Sequence, residues 1–233
     1  MFENDELVAL NKPSGLLSIP DREGKEISLK DILQLHHPEI YTVHRLDRET
    51  SGLIVFAKNA QAHKHFSLQF ENRQTKKIYN ALLVGSLPQK EGSIDAPIAE
   101  NQARRGVMIV HRRGKPALTD YKLMQDFKIF SWVEFLIHTG RTHQIRVHAK
   151  EIGNPVACDK IYGDGKPILL SSFKNKFQLS KNVLEERPLL SRLALHAFQL
   201  EIKSLDGQVL KLEAPLHKDI RATLQQLEKN MKN

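Results

Sequence analysis

Short apolar runs separated by turn residues recur along this chain, so its framework must be built from short elements. In Gly52–Lys58, four large apolar residues follow one another directly, which is typical of a buried strand. By this criterion the strands are predicted at Leu7–Leu10, Gly52–Lys58, Ile78–Gly85, Val107–Val110, Leu118–Met124, Ile129–His138, Leu193–Ile202 and Gln208–Leu212. The pattern predicts a strand-rich protein.

Helical patterns are fewer. Ser28 and Asp31 resemble a capping box, which predicts a helix through Leu35. Further helices are predicted from Ala60 to about Asn72 behind an Asn59 cap, from His143 to Ile152 behind a Thr142 cap, and from about Lys218 to Asn230. Because strands and helices do not alternate regularly, we predict an α+β fold on a largely antiparallel sheet.

Two polar stretches interrupt the apolar pattern, at Asp95–Lys115 and Tyr162–Pro188. Both contain glycines and clustered basic residues, as loops or linkers do. We interpret them as excursions from one sheet rather than as linkers. Residues 1–233 are therefore predicted to form a single domain.

The charge balance indicates a class of partner. Lys and Arg number 35 against 27 Asp and Glu, and the net charge is +8. This excess favours a polyanion, nucleic acid first and anionic lipid second. The lone Cys158 excludes an internal disulfide and suits a reducing compartment, and no apolar stretch approaches the ~20 residues of a membrane helix. We expect a cytoplasmic protein without a membrane segment.

The first candidate for chemistry is the loop His44–Gly52, directly before a predicted strand. Asp47 stands between Arg45 and Arg48. A guanidinium close to it would favour the carboxylate, which can serve as a nucleophile or a general base. The alternative is a surface loop with solvated ion pairs.

The second candidate is His138–His148, where a strand ends and a helix is predicted to begin. Arg146 and Lys150 share one helical face, which could bind a phosphate or a carboxylate. A metal site is disfavoured, since His143 and His148 are poorly spaced for one face and no acidic residue lies between them. The alternative is an amphipathic helix with Arg146 in solvent.

Two smaller segments remain open to either interpretation. Tyr79 begins a predicted strand after two lysines, where it could stack on a base or pack in the core. The segment Leu10–Gly15 is typical of a turn that ends a strand.

Taken together and in order, these segments resemble the RluA family of RNA pseudouridine synthases. The resemblance covers roughly residues 5–215. It rests on Asn-Lys-Pro-Ser-Gly from Asn11, His-Arg-Leu-Asp-Arg-Glu-Thr-Ser-Gly-Leu from His44, Lys-Ile-Tyr from Lys77, Thr-Gly-Arg-Thr-His-Gln-Ile-Arg-Val-His from Thr139, Gly-Asn-Pro-Val from Gly153, Asp159, Tyr162-Gly163 and Arg-Leu-Ala-Leu-His-Ala from Arg192.

The resemblance implies a mixed, mainly antiparallel sheet flanked by helices and loops, with the active site in a central cleft. It implies isomerisation of a uridine in RNA without cofactor or metal. Asp47 matches the catalytic aspartate, Arg45 the arginine that replaces the flipped nucleotide, and Tyr79 the tyrosine near the base. Arg146 matches the arginine that pairs with the aspartate, and Ile145 an apolar residue of the pocket.

The chain also departs from the family pattern. The strand before Lys12 begins almost at Met1, so we expect no N-terminal domain like ribosomal protein S4. Gly165–Arg187 is longer than the family's usual connection between the Tyr-Gly pair and the Leu-His-Ala strand. It is either a specificity loop or an insertion without a function. The basic stretches Arg104–Lys115 and Lys174–Lys181 would hold RNA phosphates or form a solvated face.

The substrate stays open at this stage. The RNA partner is tRNA, 23S ribosomal RNA or both, and a monomer is assumed. One alternative is a non-catalytic RNA-binding or ribosome-assembly protein on the same fold. Another is a nucleobase glycosylase that breaks the same bond without rejoining it.

Overall fold

A large sheet organises the computed structural model, which describes residues 1–21, 23–174, 176–179 and 185–231. The strands are β1 (Phe2–Glu3), β2 (Leu7–Lys12), β3 (Tyr41–Thr42), β4 (Ser51–Ala57), β5 (Lys76–Val84), β6 (Glu91–Asp95), β7 (Ile98–Glu100), β8 (Met108–Val110), β9 (Leu118–Asp126), β10 (Phe130–Ile137), β11 (Leu195–Lys203) and β12 (Val209–Glu213). The helices are α1 (Leu29–Gln34), α2 (Ala60–Glu71), α3 (Gln144–Glu151) and α4 (Lys218–Met231), and a 3₁₀ turn spans Leu170–Ser172.

Within the described residues the sheet has ten strands, in the order β1-β2-β4-β11-β5-β10-β9-β6, with β3 beside β4 and β12 beside β11. Only β4 and β11 pair in parallel, where Ser51 lies opposite His196. All the other pairings between strands of the described residues are antiparallel. The α+β fold with a mainly antiparallel sheet is therefore confirmed.

The strands built from apolar runs lie where the sequence predicts them. Every residue of β4 is buried, because the strand has neighbours on both sides and packed layers on both faces. The sequence pattern does not indicate the edge strand β6, since its residues Glu-Gly-Ser-Ile-Asp lack an apolar alternation. It forms because its backbone pairs with β9.

Two helix starts agree with the local signals. Ser28 and Asp31 form the predicted capping box, in which Ser28 N–H donates to Asp31 Oδ2 over 2.8 Å. Asn59 Oδ1 accepts the Ala62 N–H over 2.8 Å and starts α2. Both caps join residues three positions apart, so spacing along the chain is sufficient to predict them.

The predicted Thr142 cap of α3 is wrong. His143 occupies the cap position with a φ of 56° and makes no side-chain cap bond. The preceding turn is held by Gln144, whose Oε1 accepts the Arg141 N–H and the Thr139 hydroxyl over 3.0 and 2.7 Å. The side chain of the helix's own first residue therefore fixes the turn that leads into the helix.

The polar stretch Asp95–Lys115 contains a small hairpin of β7 and β8. Ile98 of this hairpin is buried against Val147 of α3 and against Tyr162. In the second stretch, Ile168 is buried in the main core and bridges to Leu190. Parts of Lys174–Lys181 and Gly165–Arg187 lie outside the described residues, so the specificity loop and the single domain over 1–233 stay predictions. In the part of the chain that is described, no helix has the length and apolar content needed to cross a bilayer.

Candidate active site

One cavity collects all the site residues that the sequence singles out. Arg45, Asp47, Tyr79, Ile145 and Arg146 line a space of about 120 Å³. They come from three separate segments: the loop before β4, strand β5 and the start of α3. Because these segments are far apart in sequence, their meeting is a property of the tertiary structure.

The loop that carries Asp47 is held by the last residue of β2 and by the segment that follows it. Lys12 is fully buried, and its Nζ donates to the carbonyl oxygens of Pro13, Leu16 and Arg48 over 3.0, 2.8 and 3.0 Å. Burial lowers the pKa of Lys12 to about 8, so at neutral pH most molecules keep the ammonium and its three donors. The sequence predicts only a turn here, and the Asn-Lys-Pro-Ser-Gly motif is the signal that points to Lys12.

Further bonds secure both neighbours of Asp47. The Ser18 hydroxyl donates to the Leu46 carbonyl over 2.8 Å and accepts the Leu46 N–H over 3.1 Å. The Gly15 N–H donates to the Arg48 carbonyl over 2.9 Å. The backbone on each side of Asp47 is therefore held by a second segment, which limits how far the carboxylate can drift.

Arg146 does not pair with Asp47 as predicted. Its Nε–H and an Nη2–H donate to Asp159 over 2.7 and 2.8 Å, and both side chains are almost completely buried. Although Arg146 and Asp47 are both described and line one cavity, no ion pair within 4.0 Å joins them. Asp159 takes the guanidinium because it meets two N–H groups in one plane, which suits a buried charge pair.

The electrostatics of this pair agree with its geometry. Burial by itself would raise the pKa of Asp159, but the bonds from Arg146 and from the backbone N–H groups of Ile161 and Tyr162 lower it. Burial would lower the pKa of Arg146, but Asp159 raises it, with a smaller contribution from the charge of Asp47. Both groups therefore stay ionised at neutral pH.

His143 is the residue whose ring lies beside Asp47. Its Nε2 is 3.9 Å from Asp47 Oδ2, and its Nδ1 is 2.7 Å from the Tyr162 hydroxyl. Burial lowers the pKa of His143, and the charge of Asp47 offsets only part of this effect. The ring is therefore neutral at pH 7.

The partners of Tyr162 favour one tautomer of His143, which we assign from them. The Tyr162 oxygen accepts the Met108 N–H over 2.8 Å, so its own proton is free to be donated to His143 Nδ1. An accepting Nδ1 leaves the proton of the neutral ring on Nε2, on the side of Asp47. Sequence reasoning gives no role to Asp159 or Tyr162, although both stand within the resemblance.

The remaining site residues form the walls and rim of the cavity. Tyr79 is half-buried, and burial, with a contribution from Asp47, raises its pKa far above neutral. Its phenol therefore stays protonated. Ile145 is buried in the first turn of α3, whereas Arg45 is exposed at the rim.

The three histidines of the second motif have separate environments. His148 binds Thr119 Oγ1 and the Ala96 carbonyl at 2.9 Å each, and His138 lies 2.6 Å from Asp120. In the described residues, no group of three His, Cys, Asp or Glu side chains is placed to hold a metal ion. The chemistry offered by the cavity itself is that of one carboxylate beside a neutral imidazole.

Comparisons with known proteins identify the family of the chain. The RNA pseudouridylate synthase family matches residues 6–151. Ribosomal large subunit pseudouridine synthase D of Nitrosomonas europaea is 37% identical over 232 residues, which cover 97% of this chain and 64% of that protein. The protein of the same name from Haemophilus ducreyi is 33% identical over 235 residues, which cover 98% of this chain and 70% of that protein. This chain thus spans about two thirds of the length of these relatives.

Solved structures show the same fold. The human protein called RNA pseudouridylate synthase domain containing 4 superposes with a TM-score of 0.74 at 27% identity, covering 97% of this chain and 92% of that one. The human protein called domain containing 1 gives 0.71 at 24% identity, covering 97% and 93%. From the family match and from relatives above 30% identity over nearly its whole length, the chain belongs to the RNA pseudouridylate synthase family, whose members convert uridine in RNA to pseudouridine.

Proposed function

We propose that this chain isomerises uridine in RNA to pseudouridine and that Asp47 is its catalytic residue. The observation that carries this proposal is the convergence of Arg45, Asp47, Tyr79, Ile145 and Arg146 on one cavity. The carboxylate lies on a clamped loop, and a buried cation and a neutral imidazole stand nearby.

The proposed reaction breaks the bond between N1 of uracil and C1′ of the ribose. The uracil turns within the cavity, and its C5 then bonds to C1′. C5 loses a proton and N1 gains one, so the product is an isomer and nothing is oxidised. The chain has to place a carboxylate at C1′ or C2′, hold the detached base and move protons.

Asp47 has two possible roles in this reaction. Its carboxylate either attacks C1′ as a nucleophile or removes the C2′ proton to give a glycal. Both routes need an ionised carboxylate with one free oxygen. His143 faces Oδ2 with its Nε2, so Oδ1 is the oxygen we assign to the reaction.

We propose that His143 is a positioning residue for Asp47. The separation of 3.9 Å is longer than a hydrogen bond, so the interaction in this state is electrostatic. Such contacts commonly tighten once substrate is bound. A hydrogen bond from Nε2–H would then hold the carboxylate rotamer and stabilise the negative charge.

The other lining residues would handle the base. A target uridine must leave its stack, which costs a few kcal/mol. Arg45 at the rim would occupy the vacated position, and Tyr79 would stack on the uracil as a neutral phenol. Ile145 supplies an apolar wall, and Arg146 adds a buried positive charge.

For the substrate we propose large-subunit (23S) ribosomal RNA, since the names of the bacterial relatives specify the ribosomal large subunit. A tRNA is the second candidate substrate. The exposed Arg104 and Arg105 in the turn of the β7–β8 hairpin, and Arg112 and Arg113 directly after it, would bind phosphates. Action as a monomer in the cytoplasm stays a prediction.

The test is pseudouridine mapping of total RNA from a strain that lacks the gene, complemented with wild type, Asp47→Asn or Asp5→Asn. Asp5 is exposed and does not line the cavity, so the variant controls for the loss of one negative charge. We expect wild type and Asp5→Asn to restore the same sites in ribosomal RNA and Asp47→Asn to restore none. Sites restored in tRNA alone would overturn the substrate assignment.

The same strains distinguish the alternatives. If Asp47→Asn restores every site, Asp47 is not the catalytic residue. If the protein only binds RNA, the deletion strain keeps every pseudouridine. Wild type and Asp47→Asn would then both rescue ribosome assembly. If the protein is a glycosylase, the purified chain would release free uracil from RNA.

A further inference from the structure

A second groove adjoins the active cavity and has not been given a role. It encloses about 450 Å³ and is bordered by α2, β5 and the loop before α3. Arg45, Tyr79, Ile137, Gly140 and Arg141 line both the groove and the cavity. We call it the flanking groove and define it by its other residues, His44, Phe70, Glu71, Arg73, Lys77 and Thr139.

The flanking groove carries an excess of positive charge. Arg45, Arg73, Lys77 and Arg141 line it, against the single carboxylate of Glu71. Among the residues that the structure describes, none of these four cations forms an ion pair within 4.0 Å. Cations gathered without counterions form a site of positive potential that favours an anion.

Lys77 and Arg141 are half-buried, whereas Arg45 and Arg73 are exposed. Lys77 lies on β5, and burial lowers its pKa, with the positive charge of Arg73 acting in the same direction. Burial and the charge of Arg73 therefore both disfavour the ammonium form. A phosphate against Lys77 and Arg73 would relieve both effects.

The same groove has an aromatic side. The rings of His44 and Phe70 stack with their centroids 4.6 Å apart and an interplanar angle of 15°. His44 Nε2 accepts the Val55 N–H over 3.1 Å, so the ring is neutral. A flat, neutral, partly buried pair beside cations combines the two elements that bind a single-stranded nucleotide.

From this combination we propose that the flanking groove binds the nucleotide next to the target uridine in the RNA strand. Its phosphate would contact Lys77 and Arg73, and its base would lie against the His44–Phe70 pair. Because Arg45 and Tyr79 line both spaces, one RNA strand can run from the cavity into the groove. This inference rests on the proposed function and adds a subsite to it.

The test compares short RNA probes on wild type and two variants. Arg73→Asn suits the left-handed backbone at this position, which has a φ of 57°, and Lys77→Gln keeps a polar side chain. Lys229→Gln on α4 is the control, because it removes the same charge from an exposed site. The probes are uridine monophosphate, a uridine dinucleotide and a uridine pentanucleotide.

We expect wild type and Lys229→Gln to bind the dinucleotide at least tenfold more tightly than the monophosphate. Each groove variant should lose most of this gain while binding the monophosphate as before. The slope of log affinity against log salt on the pentanucleotide should fall by about 0.7 for each charge removed, more than in the control. On ribosomal RNA, KM should rise more than kcat falls.

Two results would overturn the subsite. Equal effects of Lys77→Gln and Lys229→Gln would show that only net charge matters. Equal losses on the monophosphate and the dinucleotide would place Lys77 and Arg73 in the target cavity instead. Failure of the proposed function is separate, since wild type would then form no pseudouridine at all.

Discussion

Arg146 and Asp159 are joined by two hydrogen bonds of 2.7 and 2.8 Å, and their side chains are only 4% and 0% exposed. The Cζ atom of Arg146 also lies over the Tyr162 ring, 5.0 Å from the ring centroid. Arg146 lines the cavity, and Asp159 holds it from behind. Tyr162 contacts Arg146 and is hydrogen-bonded to His143, whose ring faces Asp47.

Asp159→Asn should destabilise the protein by about 3–5 kcal/mol, because it leaves the buried Arg146 charge without a carboxylate. Urea unfolding measures this free energy. The exposed pair of Lys211 and Glu213 offers the control, and Glu213→Gln should cost less than about 1 kcal/mol. Similar costs for the two variants would show that the buried pair contributes little.

Tyr162→Phe should lower kcat about tenfold with little change in KM. Without the hydroxyl, His143 Nδ1 loses its donor, so the ring no longer has to carry its proton on Nε2. Nitrogen NMR of the imidazole should show an unprotonated Nδ1 in wild type and a tautomer mixture in the variant. Tyr41→Phe is the control, since that hydroxyl makes only a 3.5 Å contact with Glu39. An unchanged tautomer would contradict the assignment.

Gly52→Ala should prevent folding or cost well over 3 kcal/mol, because a Cβ there would lie 2.6 Å from the Ala197 backbone nitrogen and closer still to its carbonyl oxygen. This contact brings β4 and β11 together directly after the Asp47 loop. Gly207 also has a positive φ, of 85°, but a Cβ added there would meet no atom within 4 Å. Gly207→Ala should therefore cost only the backbone strain of about 1–2 kcal/mol. Comparable thermal unfolding of the two variants would refute the steric argument.

Two histidines that the fold keeps neutral, the buried His196 and the half-buried His44, should make it sensitive to mild acid. Burial lowers the pKa of His44 to about 3 and of His196 to about 4, both below the ordinary 6.5. Between those values and 6.5 the unfolded chain binds more protons, so this stability is complete above pH 6.5 and is lost as pH falls. At pH 5.5 each histidine should cost about 1.4 kcal/mol.

Urea unfolding at pH 7.5 and 5.5 measures this loss. His196→Gln should reduce the difference between the two pH values, even if it lowers stability at both. The exposed His36 is the control, and His36→Gln should leave the difference unchanged. A wild-type free energy that does not change with pH would exclude neutral burial of both rings.

The sequence alone determined the features that depend on neighbouring residues. Apolar runs predict strands such as β4 and β5, and caps such as Ser28 and Asn59 act over three positions. The motifs around Asp47 and Arg146 identified the family and a set of residues that meet in one cavity. In each case the information lies in local spacing and residue type.

The tertiary structure alone decided which distant groups become partners. Lys12 binds the Arg48 carbonyl across 36 positions, and Ser51 lies opposite His196 across 145. Arg146 could pair with the carboxylate of Asp47 or with that of Asp159. Spacing along the chain does not indicate which of the two is its partner. The fold places Asp159 behind the cavity wall, where a buried guanidinium requires a carboxylate, and leaves Asp47 partly exposed at the cavity, where a substrate can reach it.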